Sequence, residues 1–380
     1  MTALRSTRAW IGPLLLIATV LVLVAACAPT GGLDASGNPI GSPQPPLRPA
    51  QPGADPVGLL AWLFTPLFQI LFVILAAVYQ GLETLAVPGA IGWAIVVLTL
   101  VVRAILIPLF RKQLVSQRRV QMLSPEVKEI QKRYKGDRVK MQQAQQELYR
   151  ERGVNPLAGC LPLLLQLPLL FIMYTVIQNG LTNQDPNAML NVFGVQLVTL
   201  DCQNAGNAAL PCIDPEVPLL GDVSRPQVLF SIFGLGFSIL AVISALLQLV
   251  QSRMMLPPPD PDNTDPNVRI QRQMMLFLPL ISIVYGGFLP AGLFIYWIVA
   301  TIFSIVQQYL IVGWGGMFPI LGWDPAFARD HTPRFPVQMP PPPEPGKRAA
   351  ILTDAAKTSS ADKTIRQAKR GRQSRRGRRR

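Results

Sequence analysis

The sequence predicts an all-α polytopic membrane protein: a five-helix transmembrane core, a cytoplasmic helical hairpin and an outer interfacial helix. Three observations carry that prediction. Half of the 380 residues are hydrophobic. These residues gather into runs of about 20, the length a bilayer core requires, rather than recurring over short windows. The net charge of +14 is also clustered, in one internal loop and the C-terminus. It therefore speaks of topology and anionic partners rather than of the core.

Residues 1–27 read as an export signal of the lipoprotein type. Arg5 and Arg8 form a short basic region, and Ile11 to Ala26 form the apolar stretch. The stretch ends Val24-Ala25-Ala26-Cys27, which resembles the lipobox of bacterial lipoproteins and makes Cys27 the lipidation site. The alternative is a plain signal or uncleaved anchor with an incidental Cys. Residues 28–56 are rich in Gly, Pro, Ser and Ala and read as a disordered tether.

The membrane core is expected over 57–312. Residues 57–80 are apolar enough to span, as are 88–110, 157–178, 227–251, 274–290 and 291–312. The last two are broken only at Pro290-Ala291-Gly292, a tight helical hairpin. Charge sets the orientation. Segment 111–156 carries twelve Lys and Arg against five acids, whereas 179–226 carries only Arg225 against Asp185, Asp201, Asp214, Glu216 and Asp222. The first is therefore cytoplasmic and the second external. If 57–80 also crossed, the basic loop would be forced outside. Residues 57–80 are accordingly expected at the outer interface, where Trp62, Phe64, Phe68, Phe72 and Tyr79 suit the headgroup level.

Segment 111–156 has helix signals of its own. Ser124-Pro125-Glu126 reads as a helix start, with a capping hydroxyl, Pro at the first position and an acid in the first turn. Gly136-Asp137 ends that helix and begins another, giving the charged cytoplasmic hairpin. The tail, 313–380, is Pro-rich and then polybasic, and is expected in the cytoplasm. Its basic end fits ribosomal RNA, anionic lipids or a topology anchor equally on composition. Cys202 and Cys212 flank one polar loop outside the cytoplasm, where a disulfide is chemically permitted, two free thiols being the alternative.

Arg103 stands inside an apolar run, ~12 Å by helical rise from the basic cluster that begins at Arg111. A charge at that depth costs on the order of 3 kcal/mol and usually faces a bundle interior or wet cavity. The candidate spans contain no Asp or Glu, which implies water, a polar groove or an acidic visitor. Thr99 stacks on Arg103 four residues away. Ser244, Gln248 and Gln251 form a second polar stripe, and Trp297, Thr301, Ser304 and Gln308 a third. One stripe alone reads as interhelical hydrogen-bond glue. Three stripes with a buried Arg read as a shared hydrated groove.

No catalytic residue, metal site or cofactor is indicated. The single histidine, His331, lies in the tail, and no phosphate-cradling Gly loop occurs.

The stretch VVRAILIPLFRKQLVSQRRVQMLSPEVKEIQKRY, then LYRERGVNPLAGCLPLLLQLPLLFIMY, and AGLFIYWIVATIFSIVQQYLI at the end resemble the YidC/Oxa family of membrane protein insertases. The lipobox and the lack of a large external domain resemble its lipoprotein forms. The resemblance implies a bacterial plasma-membrane protein with no covalent chemistry. Arg103 would be the positive centre of a groove open to cytoplasm and lipid, lined by Thr99, Gln248 or Gln251, Tyr296 and Trp297. The implied partners are nascent membrane protein clients, the ribosome, anionic lipids and the Sec translocon, if the protein does not work alone. An anion-binding transporter or channel is the rival reading of Arg103. A structural ribosome tether, which would need only the tail, is a third.

Overall fold

A computed structural model describes residues 49, 56–155, 161–183, 185–200, 202, 212–232, 235–256, 266–318, 323–329 and 331–339. The signal with Cys27, most of the tether, Cys160 and the polybasic end of the tail lie outside the described residues. The helices are α1 (Pro56–Thr84), α2 (Ala90–Ile105), α3 (Ile107–Met122), α4 (Ser124–Arg133), α5 (Arg138–Glu151), α6 (Leu161–Thr182), α7 (Ile239–Met255), α8 (Pro266–Tyr285), α9 (Ala291–Val312) and the short α10 (Ala326–Arg329). Between α6 and α7 lie three two-stranded antiparallel hairpins: β1 (Asn191–Val192) with β2 (Val195–Gln196), β3 (Glu216–Val217) with β4 (Gly221–Asp222), and β5 (Phe230–Ile232) with β6 (Leu235–Phe237).

The described residues divide into two compact units. One takes those of Met1–Ile105, Pro168–Arg253 and Pro261–Ser304; the other takes those of Leu106–Leu167, Met254–Asp260 and Ile305–Arg380.

The first unit is built on helical stripes. In α1, Phe68, Leu71, Phe72, Leu75, Ala76 and Tyr79 are buried, and in α2 so are Ile91, Ala94, Ile95, Leu98 and Val102. Both sets recur at three- and four-residue steps, one face of a helix. The opposite faces expose Leu63 and Ile70 of α1, Trp93 and Leu100 of α2, Leu246 of α7 and Ile302 of α9. Apolar side chains exposed helix after helix are the surface of an integral membrane protein, solvated by lipid. Trp62–Thr84 and Ala291–Val312 are each long and apolar enough to cross a membrane. A third crossing results if α2 and α3 count as one broken span.

The helix predicted for 274–290 runs over Pro266–Tyr285, and two other predicted spans are not single helices. The run 88–110 is not one helix, because α2 stops at Ile105 and α3 starts at Ile107. Pro108 stands in the first turn of α3. It has no N–H and its ring crowds the preceding turn, which favours a break in the helix at this point. The segment 227–251 begins as β5 and β6, with Phe230 and Phe237 stacked at 5.1 Å, and becomes helical only at Ile239.

The predicted external loop is a folded cap on the helix ends. Gln69 donates to the Asn191 carbonyl at 2.8 Å and Gln80 to that of Thr199 at 2.7 Å. The Asp214 N–H donates to the Tyr79 hydroxyl oxygen at 3.1 Å. The first amides of α9 have no partner within their own helix. Those of Ala291 and Gly292 donate instead to the carbonyls of Arg225 and Val223, at 2.9 and 2.8 Å. Cys202 and Cys212 are joined by a disulfide, with Cα atoms 4.8 Å apart.

In the second unit, α4 and α5 form the helical hairpin. Ser124 is the first residue of α4 rather than its cap. The cap is Leu123, which continues from α3 with helical torsions and whose carbonyl accepts the Val127 amide. Asp137 does cap α5, accepting the Lys140 amide at 3.1 Å, and Arg152 bridges to Glu126 at 2.7 Å across the hairpin. The described residues among 313–339 are not simply a tail. Trp314, Phe318, Trp323 and Phe327 form an edge-to-face cluster, and Tyr309 stacks on His331 at 4.6 Å.

Candidate functional site

Arg103 belongs to the inward stripe of α2. Ile91, Ala94, Ile95, Leu98, Thr99, Val102 and Arg103 share one face, so the helix that buries its apolar residues buries the cation with them. Arg103 is only 5% exposed, and Tyr296 of α9, 1% exposed, interacts with it electrostatically. A phenol oxygen offers a cation a polar neighbour without bringing a second formal charge into the bundle.

The other predicted residues divide into those locked within their own helix and those with surface left. Thr99 Oγ1 donates to the Ile95 carbonyl at 2.6 Å, and Ser304 Oγ donates to that of Ala300 at 2.8 Å. Gln248 Nε2 donates to Ser244 Oγ at 2.8 Å, which links two members of the α7 stripe. Thr301 and Ser244 are buried, while Gln248, Gln251, Trp297 and Ser304 are partly exposed. Trp297 packs on Phe294 with ring centroids 5.9 Å apart. Gln308 falls in the second unit, apart from the rest of the α9 stripe.

The sequence reading missed several buried polar residues. Thr65 and Gln69 of α1 and Gln113 of α3 are all buried. For Thr65 and Gln69 the signal was present, since a polar group within an apolar run is costly to bury, whereas Gln113 stands among charged residues that hid it. Gln69 was obscured because its partner is the backbone of a strand 122 residues away. Among the described residues no group of three or more His, Cys, Asp or Glu side chains is placed to hold a metal ion.

The structure thus sets a buried cation of α2 against a phenol of α9, while the described hydrogen bonds of Thr99, Gln248 and Ser304 lie within their own helices. Such a set can attract an anionic or strongly polar group and bind it by hydrogen bonds; it contains no nucleophile paired with a base. A family model described as 60Kd inner membrane protein matches residues 83–314, more than half of the chain. The chain belongs to the 60Kd inner membrane protein family. Its relatives include proteins named membrane protein insertase YidC. That of Janthinobacterium sp. (strain Marseille) is 30% identical over 270 residues, covering 70% of this chain and 40% of the relative. That of Campylobacter jejuni is 32% identical over 265 residues, 70% and 41%. That of Wolinella succinogenes is 34% identical over 224 residues, 59% and 34%. The chain therefore spans about two fifths of the length of the curated relatives it matches. The matched region contains all eight predicted groove residues, Arg103 included.

Proposed function

We propose that this protein inserts nascent membrane proteins into the bilayer and helps them fold. The observation that carries the reading is Arg103, a cation on the buried face of a membrane helix, in a family whose relatives are named insertases.

The barrier to insertion is desolvation of a client's polar flank. In the proposed mechanism, Arg103 draws a short polar or acidic flank into a groove lined by Thr99, Gln248, Gln251, Tyr296, Trp297, Thr301 and Ser304. The groove belongs to a five-helix core and opens to cytoplasm and lipid. Hydroxyls and amides exchange hydrogen bonds with the client backbone, replacing part of its lost water. The client's apolar segment then passes between the groove helices into lipid, driven by its own transfer free energy. No bond is made or broken. The basic hairpin of α4 and α5 receives the client on the cytoplasmic side, and α1 lies at the outer interface. The polybasic tail contacts the ribosome, Cys27 holds the lipid anchor, and the protein acts alone or beside the Sec translocon.

The test is depletion of the protein, followed by insertion assays on several small membrane proteins. Rescue by wild type and failure of Arg103→Ala supports the reading. Failure of wild type to rescue any client, together with anion flux that Arg103→Ala abolishes, would replace the insertase with an anion transporter.

A further inference from the structure

The second unit carries a surface that the insertion mechanism does not use. Helix α3 holds four Lys and Arg and no acid. Arg111, Val115 and Arg119 recur at four-residue steps, as do Lys112 and Ser116 beside them, so they share one broad face. With Ile107 and Pro108 they line a cleft of about 590 Å³. Apolar and cationic residues alternate along it, Ile107 and Pro108 before Arg111 and Lys112, then Val115 before Arg119, so the cleft offers hydrocarbon-like and cationic surface side by side.

Phe335 and Gln338 brace this face. The Arg111 guanidinium lies over the Phe335 ring, 5.4 Å from its centroid. The Phe335 amide donates to the Leu310 carbonyl at 3.0 Å, and Arg119 Nε donates to the Gln338 carbonyl at 3.3 Å. Gln307 of α9 donates to the Ile107 carbonyl at 3.2 Å. The aromatic cluster starts at Trp314, two residues after the apolar helix α9 ends. Trp323 and Phe327 remain 61% and 56% exposed. Large exposed rings at the end of a membrane-length helix belong at headgroup depth, where aromatic belts form.

We propose that this surface is a binding site for anionic phospholipid headgroups in the leaflet at the basic end of the helices. The phosphate sits among Arg111, Lys112 and Arg119, the glycerol and upper acyl chains lie along Ile107 and Val115, and Trp323 and Phe327 immerse beside them. An amphiphile fits this mixed lining better than nucleic acid does, because RNA would leave Ile107, Pro108 and Val115 uncovered. The polybasic end of the chain is a separate feature, and the site requires none of it.

Native mass spectrometry of the full chain, titrated with phosphatidylglycerol or phosphatidylcholine, tests the proposal. Wild type should bind the first phosphatidylglycerol roughly tenfold more tightly than phosphatidylcholine, as expected for a few interfacial cations. The R111Q/K112Q/R119Q variant should lose that preference and R111K/R119K should keep it. Trp323→Ala with Phe327→Ala should weaken both lipids alike. An unchanged preference in the triple Gln variant overturns the proposal. So does equal loss in the Gln and Lys variants with a lowered melting temperature, which would make the cations structural. Loss of binding to an RNA oligonucleotide, with lipid preference intact, would assign the face to nucleic acid instead.

Discussion

The Gly292 amide donates to the Val223 carbonyl at 2.8 Å, so a residue of the folded cap completes the first turn of the last membrane helix. The contact depends on the absence of a side chain. A Cβ at Gly292 would stand 3.1 Å from Ile177 of α6, 3.2 Å from Ile95 of α2 and 3.2 Å from the Val223 oxygen. The close approach brings α9 against two other helices at the level where the cap attaches.

Gly292→Leu should therefore destabilise the first unit by about 1–3 kcal/mol, the usual range for overpacking a filled site. Gly292→Ala should cost less, because its neighbours need to move only a few tenths of an ångström. Thermal unfolding in detergent reads both. A Leu variant that melts with wild type would mean that α9 packs less tightly than these distances imply.

The Cys202–Cys212 bridge should hold the cap closed. The two residues are ten apart in sequence, and closing so short a loop removes about 3 kcal/mol of unfolded-chain freedom in the entropy model. Asn187 secures the chain two residues before Cys202, accepting the Leu200 amide at 2.9 Å and donating to its carbonyl at 3.1 Å. A membrane-impermeant maleimide on intact cells should label these cysteines only after reduction. Labelling without reductant would show free thiols and remove the bridge from the account.

Much of this architecture was legible in the sequence, for identifiable reasons. The stripe Ile91, Ile95, Leu98, Thr99, Val102 and Arg103 repeats at the helical period, so periodicity alone places the Arg on the packed face. Gly136-Asp137 marks a helix boundary because Asp accepts a first-turn amide, and Asp137 does so. The β5–β6 hairpin was not legible, since its run of Phe, Ile and Leu has the apolarity of a span. Only the closely spaced glycines gave a sign: Gly236 meets Gly287, where a Cβ would lie 2.7 Å from the neighbouring backbone. The ring cluster of Trp314, Phe318, Trp323 and Phe327 was hidden for another reason. Edge-to-face ring contacts such as Trp314 with Phe327 have no sequence period, and Pro-rich composition resembles a disordered tail.

Asp137 makes the hairpin sensitive to acid. The Lys140 amide and ammonium hold its carboxyl below the usual carboxylate range, the amide hydrogen bond being the larger cause. The folded value is depressed, so the cap contributes fully above the ordinary Asp pKa of about 3.9 and is lost as pH falls through the lowered one. Hydrogen exchange at the Lys140 amide should be protected at neutral pH and lose protection in acid. Asp137→Asn, which keeps an acceptor, should flatten that dependence. Asp137→Ala should leave the amide unprotected throughout. An acid transition that survives in the Asn variant would place the titrating group elsewhere.

The pairing of Arg103 with Tyr296 gives the sharpest test of the groove, because it separates charge from packing. Arg103→Ala removes both, Arg103→Lys keeps the charge but changes its geometry, and Tyr296→Phe removes one polar neighbour while preserving the ring. If the cation recruits the client's polar flank, insertion rates should fall in the order Tyr296→Phe, Arg103→Lys, Arg103→Ala. The last should lose on the order of tenfold or more, equivalent to ~1.4 kcal/mol of barrier. The effect should grow with the number of acidic residues in the client's translocated segment. Melting temperature, measured on the same variants, guards against a trivial collapse of the helices. Equal loss for acidic and neutral clients, tracking the melting temperature, would reduce Arg103 to a packing element. A dependence on client charge at unchanged stability would identify the buried cation as the group that receives the client.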